Sequence, residues 1–263
     1  MPVRIVVLIK PVPDATGQDR LLPDGRLDRS AAPPVLNGSD EYTLEAALRL
    51  VDAHGGDVTL VAMAPAEARD ALRKGLAMGA ARAVLVTDDL LSGSCALSTM
   101  QVLAAALRTI EFDLVLAGFD SADGGGGVVG AGIATLLDLP LVSGAAAIDA
   151  AGEGAIHVRR IIGAGTETVE VALPALVVGT QLLGEPRYPT LKGIMGARAK
   201  EMAVRTLADL GLAGAAVGGG SATTVVVAQR LPAARATARV VREAPDVAAR
   251  EIVDFLVERR AVR

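Results

Sequence analysis

Short apolar runs alternate with segments of helical periodicity through the first half of the chain. Apolar runs bounded by polar or glycine positions predict buried strands, and apolar residues that recur every three or four positions predict helices between them. The predicted strands cover residues 4–9, 57–63, 81–87 and 114–117. The predicted helices cover residues 41–52, 65–78, 94–110 and 128–137. Side chains at 37–40 are expected to cap the first helix, and Ser94 the third.

Strand–helix alternation with nearly continuous apolar strands is typical of a parallel sheet that is covered by helices on both faces. Ligands of such sheets bind beyond the carboxyl ends of the strands, where the connecting loops meet. Three predicted loops begin at that edge, at Lys10, Ala64 and Gly118. The pattern therefore predicts an adenine-nucleotide site at this edge of the sheet.

The loop after the fourth predicted strand is rich in glycine. Asp120, Ser121 and Asp123 precede four consecutive glycines at 124–127, and a helix of small and apolar residues follows. Such a loop can present free backbone N–H groups and a helix N-terminus to an anion, and glycine allows the main chain to approach a phosphate. A flexible surface turn is the alternative, because the loop matches neither G-x-G-x-x-G nor the lysine-bearing phosphate loop.

The pattern changes after Pro140. Further strands are predicted at residues 145–148, 155–162, 167–173 and 175–180. Glycine-containing turns at 152–154 and 163–165 separate the first three, which indicates antiparallel pairing. The remaining chain reads as a basic arm at 185–200, a helical segment at 205–212, a glycine linker at 218–220, a strand at 223–227 and a last helix at 246–260 after Pro245.

Two domains are expected from this organisation. Residues 1–183 form an α/β nucleotide-binding core, and residues 184–263 form a recognition loop and a C-terminal arm. The second segment has little apolar material for a core of its own. We therefore expect it to pack on a partner subunit.

Composition excludes several classes of function. Hydrophobic residues make up 51% of the chain and charged residues 21%, which excludes disorder. A net charge of −4 argues against a nucleic-acid partner. Cys95 is the single cysteine, and the two histidines, His54 and His157, lie far apart, so no metal site is predicted.

Targeting and catalytic signals are not evident in the sequence. The apolar start of the chain is too short for a signal peptide, and the longest uncharged window contains five glycines, so no membrane insertion is predicted. A cytoplasmic protein is expected. No serine or cysteine nucleophile comes with a recognisable histidine partner, so no catalytic residue is predicted.

The basic arm carries a sequence that resembles a known family. Residues 185–200 read EPRYPTLKGIMGARAK, which is similar to the E-P-R-Y-x-[TS]-L-x-x-I-M-x-A-[KR]-x-K segment of electron transfer flavoprotein beta subunits. Other segments resemble motifs of that family in the same order. They are KPVPD at 10–14, NGSDEYTLEAALRL at 37–50, LAMGAAR at 76–82 and VRRIIGAGTETVEVALPALVV at 158–178.

The resemblance implies a fold and a function. The expected fold is a doubly wound parallel sheet of the adenine-nucleotide alpha-hydrolase type, with an added antiparallel region and an extended C-terminal arm. The expected function is that of the beta subunit of a heterodimer, which carries electrons from flavin-dependent dehydrogenases to a downstream acceptor and is not itself an enzyme. The alpha subunit holds most of the FAD, and the beta subunit adds AMP or, in electron-bifurcating members, a second FAD.

The resemblance also implies two sets of site residues. The nucleotide set is Leu8, Asn37, Gly38, Ser39, Asp40, Met63, Gly118, Asp120, Ser121, Asp123, Gly124, Gly125, Gly126, Gly127, Val128 and Val129. The partner-docking set is Arg187, Tyr188, Pro189, Thr190, Leu191, Lys192, Gly193, Ile194, Met195 and Gly196. Leu191 is the expected exposed anchor, whereas Ile194 and Met195 are expected to point inward.

The nucleotide site departs from the family pattern. The family usually reads D-[DG]-D-x-x-Q-[TV]-G in the second half of the glycine loop, whereas this chain has Asp123, four glycines and two valines. Leu8 is bulkier than the usual small residue, and Gly38 replaces a proline. We therefore expect backbone N–H groups but no side-chain donors for a phosphate, and each missing donor weakens binding by roughly 1 kcal/mol.

Aromatic residues are scarce, at 2% of the chain, so the chain by itself has little with which to stack a flavin. Two alternative functions stay open. An ATP-using α/β hydrolase would need a glycine-serine phosphate motif after the first strand, where the chain has Lys10 and two prolines. A stand-alone nucleotide-binding protein of the stress type would not need the arm at 185–200.

Overall fold

A computed structural model of the chain describes residues 2–14, 20–30, 32–150, 154–212, 217–228, 230, 238 and 240–262. Contacts divide the chain into two compact units, Met1–Val227 and Ala228–Arg263. The first unit contains all the described strands and five of the described α-helices. The predicted division at residue 184, and the packing of the C-terminal segment on a partner, stay predictions.

The strands and helices of the first unit follow in a nearly regular order. The strands are β1 Val3–Leu8, β2 Pro11–Pro13, β3 Pro34–Leu36, β4 Gly56–Met63, β5 Arg82–Val86, β6 Leu114–Gly118, β7 Leu141–Ala150, β8 Ala155–Ile162, β9 Gly165–Ala172, β10 Ala175–Gly179 and β11 Met202–Arg205. The helices are α1 Gly38–His54, α2 Arg69–Met78, α3 Ala96–Leu107, α4 Val129–Leu137 and α5 Leu191–Ala197.

Nine of these strands form one sheet in the order β11-β5-β4-β1-β6-β10-β7-β8-β9, and β2 and β3 form a separate antiparallel pair. Strands β11 to β7 are parallel, and β8 and β9 continue the sheet in antiparallel pairing. The chain first runs outward from β1 to β5 and then crosses to β6, on the other side of β1. The strand order therefore reverses between β1 and β6, where sheets of this kind bind ligands.

Consecutive residues of the central strands are buried in opposite layers. Ile5 and Val7 of β1 pack with α1 and α2, whereas Val6 and Leu8 pack with α3 and α4. Strands β4, β6 and β10 show the same alternation between the two layers. This arrangement explains why the sequence of each central strand is almost continuously apolar.

The predicted fold class is confirmed by this architecture. The four strands and four helices predicted in the first half are present, with ends that differ by a few residues. The antiparallel pairing of the next three strands is also confirmed, with Gly163-Ala164 as the turn between β8 and β9. Residues 152 and 153 of the other predicted turn lie outside the described residues.

Strand β7 is much longer than predicted, because its two halves have different partners. Residues 141–145 pair in parallel with β10, and residues 145–150 pair antiparallel with β8. The register shifts where the partners change. Small residues dominate the strand, so its apolar pattern was too weak to show the full length.

Two predictions for the region after residue 200 were wrong. Residues 202–205 form β11, which pairs with β5 at the edge of the sheet, and turns at 207–211 replace the predicted helical segment. Residues 223–227 are not a strand, although β-branched residues favour one. A strand requires an edge to pair with, and the three valines at 225–227 are instead exposed.

The predicted cap of the third helix was also wrong. Cys95 occupies the N-cap position of α3. The Ser94 hydroxyl instead donates to the carbonyl of Leu91, at 2.7 Å, and accepts a 3.1 Å hydrogen bond from the Gly218 N–H. The serine therefore secures the loop after β5.

The second unit contains helix α6, Pro245–Glu258. Its start at Pro245 was predicted, and proline suits a first helical turn because its missing N–H would have no partner there. The Arg259 guanidinium lies over the Phe255 ring, 5.2 Å from its centre. Among all described residues, no helix is long and apolar enough to cross a bilayer.

Candidate nucleotide site and docking arm

The ends of β1 and β6 meet the start of α1 where the strand order reverses. Gly118, the last residue of β6, lies so close to α1 that a Cβ on it would collide with the Asp40 carboxylate and with Ser39. Only glycine permits this approach. Residues from two separate segments of the predicted nucleotide set are therefore brought together.

Asp40 is buried in the first turn of α1, and its carboxylate holds the end of β1. The backbone N–H of Lys10 donates to Oδ2 of Asp40 at 2.7 Å. Burial raises the pKa of Asp40 to about 7, and the hydrogen bonds from Lys10, Asn37 and Gly118 only partly offset that effect. A carboxyl group at this position is thus close to its protonation midpoint at neutral pH.

Asn37 joins α1 to the glycine loop. It occupies the N-cap position, but its side chain does not cap the helix as predicted. Its Nδ2 donates to the Asp120 carbonyl at 2.7 Å, and its Oδ1 accepts from the Ala122 N–H at 3.1 Å. The Ser39 hydroxyl adds a 3.1 Å bond to the Asp120 carboxylate. These bonds fix the first half of the loop.

Asp123 brings two cations to the glycine loop. Lys10 Nζ donates to Asp123 Oδ1 at 2.7 Å and to the Ser121 hydroxyl at 3.0 Å. Asp123 Oδ2 forms an ion pair with Arg29, although the pair lacks the alignment of a hydrogen bond. Burial acts to raise the pKa of Asp123, but the bond and charge of Lys10 and the charge of Arg29 hold it below its usual value.

The glycines divide into two pairs. The N–H groups of Gly124 and Gly125 bond back to the Ser121 carbonyl, at 3.2 and 2.7 Å, and so close a turn. Gly126 and Gly127 are exposed and lead to Val128, the N-cap of α4. The first-turn N–H groups of a helix have no acceptor within the helix. The second pair therefore leads to the first-turn N–H groups of α4, which can donate hydrogen bonds to an anion.

The other predicted nucleotide residues lie along the same edge. Leu8 ends β1 and is buried against the α3–α4 layer, and Met63 ends the neighbouring strand β4. Gly38 begins α1, and Val129 begins α4. Their part in binding stays a prediction.

Lys10 and Arg29 were not in the predicted set. The expectation that side-chain donors are absent from this site stays a prediction, but it did not consider Lys10, whose Nζ is 3.5 Å from the position of a Cβ on Gly124. Lys10 is the first residue of the KPVPD motif, but nothing in or near that motif indicates that its side chain pairs with Asp123.

The docking arm, residues 185–200, packs on α1 and α2. Arg187 forms ion pairs with Glu45 and Asp52 of α1. Helix α5 begins after Thr190, whose hydroxyl caps it by accepting from the Gly193 N–H at 3.0 Å. Pro189 and Ile194 line a small cleft of about 300 Å³ against α2. The predicted docking residues therefore lie together in one surface segment that is supported by α1 and α2.

Leu191 is 76% exposed on this arm, as predicted for an anchor. The expectation that Ile194 and Met195 point inward was wrong, since they are 51% and 69% exposed. Ala197 takes the buried position in α5, because its small side chain allows the short helix to lie directly on α2. The arm thus presents several apolar side chains.

Comparison with known proteins agrees with these features. A sequence model described as "Electron transfer flavoprotein domain" matches residues 24–210. The chain is 42% identical to the electron transfer flavoprotein subunit beta of Mycobacterium leprae, and 40% identical to that of Mycobacterium tuberculosis, over 98% of this chain and 99% of each relative. It is 37% identical to the protein of the same name from Thermoanaerobacterium thermosaccharolyticum, over 87% of this chain and 88% of that relative.

Proposed function

The chain belongs to the electron transfer flavoprotein beta-subunit family, and from that premise we propose that it works as the beta subunit of a heterodimer that accepts electrons from flavin-dependent dehydrogenases. The observation that carries this proposal is the 76% exposure of Leu191 on an arm that is otherwise bonded to α1 and α2. An exposed apolar side chain on a fixed support is suited to anchoring a partner.

The redox-active FAD is held mainly by an alpha subunit in this proposal. Aromatic residues that can stack on a flavin are scarce, with two tyrosines and three phenylalanines in the whole chain. Tyr188 lies on the arm, and Phe119 follows β6 at the edge of the sheet with about half of its surface exposed. FAD supplies the electron-transfer chemistry when it is bound, and this chain supplies docking and orientation.

A second nucleotide, AMP or FAD, is proposed to bind at the edge formed by Asn37, Asp40 and the glycine loop. Two observations fit a phosphate there. A Cβ placed on Gly125 or Gly126 would have no atom closer than 4.0 Å, so the loop borders open space. Lys10 contributes an ammonium group that is partly exposed beside the loop. A phosphate bound at the first turn of α4 would be stabilised both by the N–H groups of that turn and by the positive charge of Lys10.

The arm is proposed to dock on the donor dehydrogenase. Tyr188, Leu191 and Met195 are each more than two-thirds exposed, and their side chains lie within seven positions of one another along a short, capped segment. Burial of one leucine side chain contributes roughly 1.5–3 kcal/mol, which corresponds to about tenfold or more in affinity. Leu191 is expected to contribute most of this binding free energy.

Co-purification tests the proposal as a whole. The chain is expressed with and without a candidate alpha subunit, and each preparation is assayed for flavin, for electron transfer from a reduced flavin-dependent dehydrogenase, and for ATP hydrolysis. A yellow heterodimer that accepts electrons supports the proposal. ATP turnover by the chain alone would support a hydrolase. A chain that binds nucleotide but forms no complex with an alpha subunit and accepts no electrons would support a stand-alone nucleotide-binding protein.

A further inference from the structure

Glu45 is a buried carboxylate in the middle of α1, and its side chain is only 4% exposed. Its Oε2 accepts from the Arg187 side chain at 2.7 Å and from the Arg187 backbone N–H at 3.1 Å. Its Oε1 accepts from Arg187 Nη2 at 3.2 Å and from Arg49 Nε at 2.9 Å. One residue of the docking arm thus supplies three of the four hydrogen bonds.

These bonds make the buried carboxylate favourable. Burial acts to raise the pKa of Glu45, but the bonds from Arg187 and Arg49 outweigh it and hold the pKa below its usual value. A fork of guanidinium N–H groups on a carboxylate fixes direction as well as distance. Because the backbone N–H of Arg187 is also bonded, both the main chain and the side chain are held where the arm begins.

The far end of the arm has its own attachment. Lys200 Nζ donates to the carbonyls of Leu76 and Ala80, at 2.9 and 2.6 Å, and so binds the C-terminal end of α2. Between Arg187 and Lys200, the side chains of Tyr188, Leu191 and Met195 are exposed. The arm is therefore attached at both ends and presents three exposed side chains between them.

We propose that Glu45 is a positioning residue, which holds the arm in its docking conformation by fixing Arg187. This inference rests on the proposed function, in which the arm docks on a dehydrogenase. An arm that is already ordered loses less conformational entropy on binding. If Glu45 is neutralised, the competent fraction of arm conformations falls, and the apparent affinity for the dehydrogenase falls by the same factor.

The alternative is that Glu45 only stabilises the fold. Asp113 provides a matched control, because it also accepts from both the backbone N–H and the guanidinium of one arginine, Arg4, at 2.8, 3.2 and 2.9 Å. Asp113 precedes β6 and lies at the opposite end of the sheet from the nucleotide edge. Asp113→Asn therefore removes a comparable arrangement without touching the arm.

The test compares wild type, Glu45→Gln, Asp113→Asn and Leu191→Ala, each as the purified complex with its alpha subunit. Amide hydrogen exchange is measured by mass spectrometry for peptides within 186–199, and dehydrogenase-dependent flavin reduction is measured at varied dehydrogenase concentration. In Glu45→Gln we expect exchange in the arm to quicken, and the apparent KM for the dehydrogenase to rise, each by about tenfold. The limiting rate should stay at the wild-type value, and Asp113→Asn should change neither quantity.

The outcomes are separable. Unchanged exchange in the arm of Glu45→Gln, or an unchanged KM beside faster exchange, would overturn the positioning role. Wild-type transfer by Leu191→Ala would overturn the docking function itself, and with it the inference. If Glu45→Gln does not accumulate as a folded complex, Arg187→Lys replaces it, since lysine keeps the charge but loses the fork. The same rise in exchange and in KM is expected, and wild-type values would reject the role.

Discussion

The backbone N–H of Lys10 donates a 2.7 Å hydrogen bond to the buried carboxylate of Asp40. This bond joins the end of the first strand to the first turn of α1, at the point where the strand order of the sheet reverses. The Lys10 side chain continues from there to Asp123 and the glycine loop. The Lys10–Asp40 pair therefore links three segments of the candidate nucleotide site.

The Asp40 carboxyl should make stability depend on pH. Its pKa is raised from an ordinary 3.8 to about 7 in the folded protein. Between those values the folded state binds more protons than the unfolded state, so the free energy of unfolding should fall as the pH rises. The fall is about 1.4 kcal/mol per pH unit within that window for one group, and it ends above pH 7.

Asp40→Asn should lack this slope, because an amide does not ionise. Urea unfolding of both proteins at several pH values between 4.5 and 8 checks the expectation. Carboxylates with lowered pKa, such as Asp123 and Glu45, lose their stabilising effect only at more acidic pH and affect both proteins alike. Parallel stability profiles for the two proteins would show that Asp40 is ionised throughout.

Gly126→Val should remove bound nucleotide and leave the sheet folded. A side chain at this position enters the open space beside the loop, where it would block the approach of a phosphate to the main chain. Gly163→Val is the matched control, since a Cβ there meets no atom within 4 Å and the residue lies in the β8–β9 turn. Nucleotide released from the denatured complex is measured by mass spectrometry.

Wild-type complex should release AMP or a second FAD, the control should release as much, and Gly126→Val should release little. Full retention by Gly126→Val would place the nucleotide elsewhere. If the wild type releases neither nucleotide, the four glycines are only a turn.

Lys10→Gln should weaken the binding of a nucleoside monophosphate more than the binding of the nucleoside. A hydrogen bond to a charged group contributes about 1.5–3 kcal/mol, so AMP should bind at least about tenfold more weakly. Adenosine, which has no phosphate, should bind as it does to the wild type. Lys192→Gln removes the same charge from the arm and serves as the control. Calorimetric titration of nucleotide-stripped wild type, Lys10→Gln and Lys192→Gln measures these affinities. Equal losses of affinity for AMP and adenosine in Lys10→Gln would contradict a phosphate contact.

The isolated chain should be colourless. It has few aromatic side chains for a flavin, and we propose that the alpha subunit supplies most of the FAD site. An absorbance spectrum of the chain purified alone, compared with that of the heterodimer at equal concentration, measures this directly. A stoichiometric flavin band from the isolated chain would reject the proposed division of labour.

Much of the fold was predictable because its signals are local. The alternating burial of Ile5, Val6, Val7 and Leu8 between two layers makes β1 an unbroken apolar run, and a run of that kind is visible in the sequence. Strand β11 was missed for the opposite reason. Residues 202–205 become a strand through pairing with β5, more than a hundred positions earlier, and no local pattern indicates such a partner.

The site was predictable only in part. Asn37, Asp40 and the glycine loop belong to motifs, so the resemblance placed them at one edge, and the structure brings them into contact. Lys10 and Glu45 act through partners that lie 113 and 142 positions away. In the sequence, each is an ordinary charged residue beside a strand or within a helix. Long-range ion pairs of this kind become apparent only in the folded protein.

The central claim is that Leu191 on the docking arm engages the donor dehydrogenase. The measurement is the rate at which a reduced dehydrogenase reduces the flavin of complexes carrying Leu191→Ala, or Leu90→Ala as a control leucine that is 58% exposed outside the arm. Loss of roughly 1.5–3 kcal/mol of leucine burial should slow Leu191→Ala by an order of magnitude or more, while melting temperature, subunit association and flavin content stay at wild-type values. The Leu90 control should react as the wild type does. A Leu191→Ala complex that accepts electrons at the wild-type rate, or one that unfolds, would contradict the claim.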